Sequence, residues 1–167
     1  MNLHDLSKQY EVKKIASEDI PAVYKLCSGN PDYYRFMNLQ PTPENLTEVI
    51  TVLPPGKNLE DKYFVGFWEG GSLLAILDLI LDYPGEKTVL VGWFMLEKAR
   101  QGDGVGSALV REILEALHCA GMKKVRLGCI KSNRRAYEFW KKHGFAPTGE
   151  VTEQKDYTII AMERSLL

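Results

Sequence analysis

The chain has 167 residues, of which 45% are hydrophobic and 26% charged, with 21 Lys plus Arg against 22 Asp plus Glu. That length fits one domain spanning residues 1–167 with enough chain to close a core, and the composition excludes a disordered polymer. A net charge of −1 excludes a protein that coats nucleic acid by bulk charge, so no nucleic-acid partner is expected.

The opening run MNLHDLSKQY is too polar for a secretion signal. The most apolar stretch, Leu73–Leu81, carries Asp78 and falls well short of the roughly 20 apolar residues that a spanning helix needs, so no membrane partner is expected. Cys27, Cys119 and Cys129 have neither paired nor zinc-like spacing, which points to a reducing, cytoplasmic compartment and to no metal site.

In chain order, Tyr10–Ala16 alternates as a strand. Ser17-Glu18-Asp19 starts a helix with Ile20, Val23, Tyr24 and Cys27 at helical spacing. Residues 28–43 hold Gly29, Pro31, Pro41 and Pro43 and read as loop or broken helix. A second helix is expected over Glu44–Leu53, stopped by Pro54-Pro55-Gly56. Three strands follow, Tyr63–Trp68, Leu73–Tyr83 and Thr88–Leu96, joined by turns at Gly70-Gly71 and Pro84-Gly85.

The period then changes. Val105, Leu109, Ile113, Leu117 and Ala120 step by one helical turn, and Gly121 ends that helix. Lys124–Ile130 is a strand, Asn133–His143 a helix burying Ala136, Phe139 and Trp140, and Phe145–Glu150 and Asp156–Arg164 a last pair of strands. The fold class is α+β: a mixed, mostly antiparallel sheet of about seven strands, flanked by about four helices, with a central β-α-β crossover.

Charge is unevenly placed. Residues 98–142 carry 11 basic and four acidic residues, a net of +7, which fits either solvated helix faces or a site for a polyanion. Inside that segment lies the most informative stretch, Arg100-Gln101-Gly102-Asp103-Gly104-Val105-Gly106-Ser107, between a strand and the strongest helix. Glycines allow a tight turn and close approach of a ligand, and the first amides of a helix have no internal partner, so a pyrophosphate is the natural occupant. The same residues would also make a ligand-free turn. Neither the Walker pattern nor the dinucleotide fingerprint G-x-G-x-x-G is present.

What the loop does match is Q-x-x-G-x-G, as Gln101, Gly104 and Gly106, and a second run, Asn133-x-x-Ala136-x-x-Phe139-Trp140-x-x-x-Gly144-Phe145, lies farther on. On these two motifs and the order of elements, the chain resembles the GNAT superfamily of N-acetyltransferases. The resemblance implies acetyl-CoA as donor, without a metal, in a gap between Thr88–Leu96 and Val125–Ile130. It implies that the backbone of Phe94, Met95 and Leu96 holds the pantetheine arm, that Gln101, Gly102, Asp103, Gly104, Val105, Gly106 and Ser107 hold the pyrophosphate with help from Arg100, and that Asn133, Tyr137 and Trp140 line the donor site.

The implied chemistry is direct attack of a primary amine on a thioester in a ternary complex, with the N–H of Phe94 or its neighbour donating to the oxyanion. Asp78, one charge in an apolar run, is the first choice for the general base; it would equally serve as a solvent-facing or loop-bonding residue. Asp82, Glu86 and Glu97 are weaker candidates. Where the family often has a Tyr that protonates the leaving thiolate, this chain has Trp140, and Tyr137 is the substitute within reach, although core packing also accounts for it. Cys129 reads as a buried small hydrophobe. Tyr33, Tyr34, Phe36 and Asp32 are candidates for the acceptor pocket, as is Asp78. Residues 1–97 have 8 basic and 14 acidic residues, which favours a cationic acceptor, a small molecule or a peptide amine. The competing reading is a non-catalytic CoA-binding sensor of the same fold. A monomer or homodimer is expected.

Overall fold

The computed structural model describes residues 1–167. Seven strands form one sheet: β1 (Glu11–Lys14), β2 (Lys62–Glu69), β3 (Ser72–Leu81), β4 (Thr88–Leu96), β5 (Lys124–Ile130), β6 (Ala146–Glu153) and β7 (Thr158–Ser165). Their spatial order is β1-β2-β3-β4-β5-β7-β6, and every neighbouring pair is antiparallel except β4 and β5. Five helices flank the sheet: α1 (Ile20–Ser28), α2 (Pro31–Arg35), α3 (Pro43–Val49), α4 (Val105–Cys119) and α5 (Arg134–Lys142).

The expected strand and helix order is the observed one, with one addition. The expected loop at 28–43 contains α2, a single five-residue turn begun by Pro31. Proline fixes the backbone angle a helix start needs and lacks only an amide that would go unpaired there, so it opens this helix instead of breaking it. The second predicted helix is shorter than Glu44–Leu53 and stops at Val49. Tyr24, expected on the buried face of α1, is 41% exposed.

The sheet buries a separate core on each face. Leu74, Leu77 and Leu79 of β3 join Leu109, Ile113, Leu114 and Leu117 of α4 on one side. Ile76 of β3, Phe64 of β2 and Met95 of β4 join Val23, Leu26 and Cys27 of α1 on the other. Burial on both faces explains why β3 reads as a nearly unbroken apolar run.

Two irregularities shape the functional half. Between Phe67 and Trp68 the β2–β3 register shifts by one residue, and between Asp78 and Leu79 the β3–β4 register shifts again, leaving Gly92 as the extra residue of β4. Such bulges bend a strand and end regular pairing. Pairing of β4 with β5 accordingly runs only from Thr88↔Lys124 to Val91↔Leu127. Past Gly92 the two parallel strands part.

Candidate active site

The parting of β4 and β5 opens a cavity of about 410 Å³. Its walls are Gly92–Leu96 of β4, Leu127–Ile130 of β5, the start of α5, and α2 above. Phe94 lies beyond the last residue of β4 paired with β5, so its main-chain groups on that side have no strand partner. The floor is aromatic: Trp140 packs edge-on against Phe94, Phe139 and Phe145, at ring separations of 6.0, 5.1 and 5.2 Å.

One end of the cavity reaches the glycine loop. Gly102 and Gly104 have φ of +92° and +83°, left-handed values that glycine adopts without strain. The first backbone bond of α4 runs from the Ala108 N–H to the Gly104 carbonyl at 2.9 Å, so the amides of Val105, Gly106 and Ser107 have no intrahelical partner. A Cβ built on Gly102 or Gly104 would meet nothing within 4 Å, so the space over the loop is open. Three free amides at the positive end of a fifteen-residue helix, under open space, fit a diphosphate. The Ser107 hydroxyl is paired with His143 Nε2 at 3.0 Å, tying α5 to this end of α4. Burial, together with Lys142, Arg111 and Arg164, pushes the His143 imidazole below its usual range.

Several expected donors are engaged elsewhere. The Gln101 amide donates to Asn30 Oδ1 at 2.8 Å and to the Leu96 carbonyl at 2.9 Å, and Asn30 Nδ2 donates to the same carbonyl at 3.2 Å. Gln101 therefore uses both N–H bonds to clamp the end of β4 to Asn30, just ahead of α2, rather than facing a phosphate. Asn30, unremarked in the sequence, is the buried partner that makes this clamp. Arg100 pairs with Glu69 at 2.6 Å and is not part of the cavity wall. Within the basic segment, Lys124 and Arg126 pair with Glu163 and Arg134 with Glu138, while Lys98 and Arg135 border the cavity. Asp103 is exposed at the loop.

Asn133 caps α5, its Oδ1 accepting from the Ala136 N–H at 3.1 Å, and it lines the cavity. Tyr137 does not line it. Four-residue spacing aligns side chains only when both residues are helical, and Asn133 is not, with ψ of +78°. Tyr137 instead lies under the Arg134 guanidinium, 5.8 Å away. Trp140 lines the cavity as packing.

The acceptor-side residues separate in the same way. Tyr33 and Phe36 line the cavity, and Asp32 sits at its mouth paired with Arg35 at 3.1 Å. Tyr34 does not line it: the ring is buried in the α1 core together with Cys27. Burial holds the Cys27 thiol up at about 11.

Asp78 is 7% exposed and is not part of the cavity wall. Both its oxygens accept from Lys62 Nζ, at 2.8 and 2.9 Å, and Lys62 is itself 4% exposed. Desolvation raises the Asp78 carboxyl and the Lys62 ammonium pulls it back, with the net shift upward. Both oxygens of the first-choice base are thus engaged by Lys62, away from the cavity wall. The pair sits under the bulge instead: a Cβ on Gly92 would come within 2.8 Å of Asp78 Oδ2. Because Lys62 holds that carboxylate in place, Gly92→Ala is expected to cost about 1–3 kcal/mol through overpacking. Denaturant unfolding of the variant measures this, and unchanged stability would mean that the bulge yields freely.

A profile described as the acetyltransferase (GNAT) family matches residues 30–145, well over half of the chain. The chain belongs to the GNAT acetyltransferase family. No curated protein matches it. Among solved structures, it is similar to an acetyltransferase from Thermus thermophilus, at 17% identity and a TM-score of 0.74 over 93% of this chain and 96% of that one. It is also similar to the ribosomal-protein-S18-alanine N-acetyltransferase from Escherichia coli, at 14% identity and a TM-score of 0.69 over 95% and 94%. A third is the PaiA N-acetyltransferase from Thermoplasma acidophilum in complex with coenzyme A, at 16% identity and a TM-score of 0.66 over 94% and 99%. At these identities the likeness establishes the fold. No helix of the chain is long and apolar enough to cross a membrane.

Proposed function

We propose that this single-domain protein transfers an acetyl group from acetyl-CoA to a primary amine of a small molecule or peptide, directly and without a metal. The observation that carries the reading is the continuity of one cavity with three features: the parted β4 and β5, the unpaired main chain at Phe94, and the open loop before α4. Those features fit, in order, the pantetheine arm, a developing oxyanion and a diphosphate. The structure of a fold relative in complex with coenzyme A supports the same donor.

The chain's residues divide the work. The amides of Val105, Gly106 and Ser107 bind the diphosphate, with Lys98 and Arg135 nearby as cations. Phe94, Met95 and Leu96 extend beside the arm, and the clamp of Gln101 and Asn30 on the Leu96 carbonyl fixes where this edge ends. The Phe94 N–H, freed by the bulge, donates to the carbonyl oxygen as it becomes an oxyanion; one such donor is worth about 3–4 kcal/mol. The aromatic floor excludes water. An alkyl amine near pKa 10.4 must lose a proton before attack, at a cost of roughly 4–5 kcal/mol at pH 7. Tyr33 and Phe36 wall the acceptor side, with Asp32 at the mouth.

The second reading, a CoA-binding module without turnover, has one observation in its favour: Asp78 is locked to Lys62. Thiol release from acetyl-CoA with a panel of amines separates the two. Release stimulated by at least one amine is expected. CoA binding without stimulated release by any amine would favour the sensor.

A further inference from the structure

Thioester aminolysis moves protons as well as an acyl group, and the cavity offers few side chains that can move them. Of those that line it, Asp32 is exposed at the mouth and paired with Arg35, while Lys98 and Arg135 are exposed at the rim. That leaves Tyr33 and Cys129. The Cys129 thiol points at its neighbour's carbonyl, Ile130 O, at 3.8 Å, and burial pushes it up to about 11.

Tyr33 is placed differently. Its ring stacks on Trp93 with centroids 6.3 Å apart and 26° between planes, and Trp93 stands between the bulge residue Gly92 and the donor Phe94. Tyr34 meets it edge-on at 5.2 Å. The ring is thus fixed from two sides, over the bulge that directs the oxyanion donor. Its hydroxyl makes no hydrogen bond to the protein.

We infer that Tyr33 is a catalytic proton relay between the acceptor nitrogen and the CoA sulfur. This rests on the acetyltransferase reading above. The amine enters neutral, having released its ammonium proton to solvent. The nitrogen–carbon bond forms and the carbon–sulfur bond breaks. The proton that the nitrogen must then shed passes to the Tyr33 oxygen as the Tyr33 O–H proton passes to the departing thiolate. The products are the amide and CoA with a free thiol, and Tyr33 ends as it began.

The surroundings suit a phenol that stays protonated. Burial pushes Tyr33 well above its ordinary value, and the Cys27, Tyr157 and Cys129 groups around it act in the same direction. Burial makes its O–H a weaker acid, so the transfer to the thiolate depends on the simultaneous arrival of the nitrogen's proton at the Tyr33 oxygen.

The test reads the sulfur itself. CoA is titrated into wild type, Tyr33→Phe and Cys129→Ala, and the thiol of bound CoA is titrated by its ultraviolet thiolate absorbance. A donor O–H at the sulfur stabilises the thiolate, so the bound thiol is expected to rise by about one pKa unit in Tyr33→Phe. CoA affinity should be unchanged, and turnover with an accepted amine should fall about 10²-fold. If both proteins bind CoA and its thiol titrates alike in both, the Tyr33 role is overturned while the acetyltransferase reading stands. A shift in Cys129→Ala instead of Tyr33→Phe overturns it in favour of the thiol. If wild type does not bind CoA, the acetyltransferase reading fails, and the relay with it.

Discussion

Gly104→Asp is expected to lower CoA affinity by about 10²-fold or more while leaving a folded protein. Gly104 is the left-handed cap of α4, with φ of +83°, and its missing side chain leaves open space where the diphosphate is proposed to lie. A carboxylate there meets like charge across a short distance, which costs several kcal/mol, and about 1.4 kcal/mol corresponds to each tenfold in affinity. The fold has less at stake. Nothing in the protein lies within 4 Å of the new Cβ, and Asp is among the few residues that enter the left-handed region, at a cost of roughly 1–2 kcal/mol. Calorimetry with CoA and a thermal melt read the two effects separately. Unchanged affinity in the folded variant would remove the loop from the diphosphate site.

The second large effect is expected at Lys62→Met. Lys62 and Asp78 are both almost fully buried, and each oxygen of Asp78 accepts from Lys62. Removing one partner of a buried ion pair leaves an uncompensated charge and typically costs about 3–5 kcal/mol. The loss should depend on pH. Without the ammonium, only desolvation acts on Asp78, so its folded-state pKa rises further above the unfolded value of about 3.9. Between those two values the native state binds more protons than the unfolded one, so the variant's stability falls as pH rises through the window. The deficit relative to wild type is therefore largest at neutral pH and shrinks on acidification toward pH ~4. Denaturant unfolding across that range measures it; a deficit that is absent, or independent of pH, would contradict the account of the pair.

The same pair shows what the sequence leaves unreadable. A hairpin turning at Gly70-Gly71 pairs Glu69 with Ser72, and a regular ladder from there sets Lys62 opposite Leu79, with Asp78 on the other face. The one-residue shift between Phe67 and Trp68 puts Lys62 opposite Ile80 instead, so Lys62 and Asp78 share a face as diagonal neighbours. Nothing in the apolar run of β3 marks the extra residue. The Gly92 bulge is more nearly legible, as a glycine inside a strand pattern commonly marks one.

The strands and long helices were readable because their apolar periods are clear: Thr88–Leu96 and Lys124–Ile130 have the expected limits. The tight turn before α4 was readable because glycine suits left-handed backbone, which Gly102 and Gly104 adopt. The placements of Gln101, Tyr137 and Tyr34 were not, since each turns on where a side chain points. Gln101 reaches Asn30, 71 positions earlier. Tyr137 follows a residue outside the helix, and Tyr34 sits one position around α2 from Tyr33, which places it in the core instead of the cavity.

The central claim is that the open start of α4 and the unpaired stretch of β4 grip one ligand together. Titration of the isotope-labelled protein with CoA, followed by backbone amide shifts, addresses it most directly. Saturable changes concentrated at Gly102–Ser107 and Phe94–Leu96 are predicted. Saturation with those amides unmoved, or no binding at all, would contradict the account.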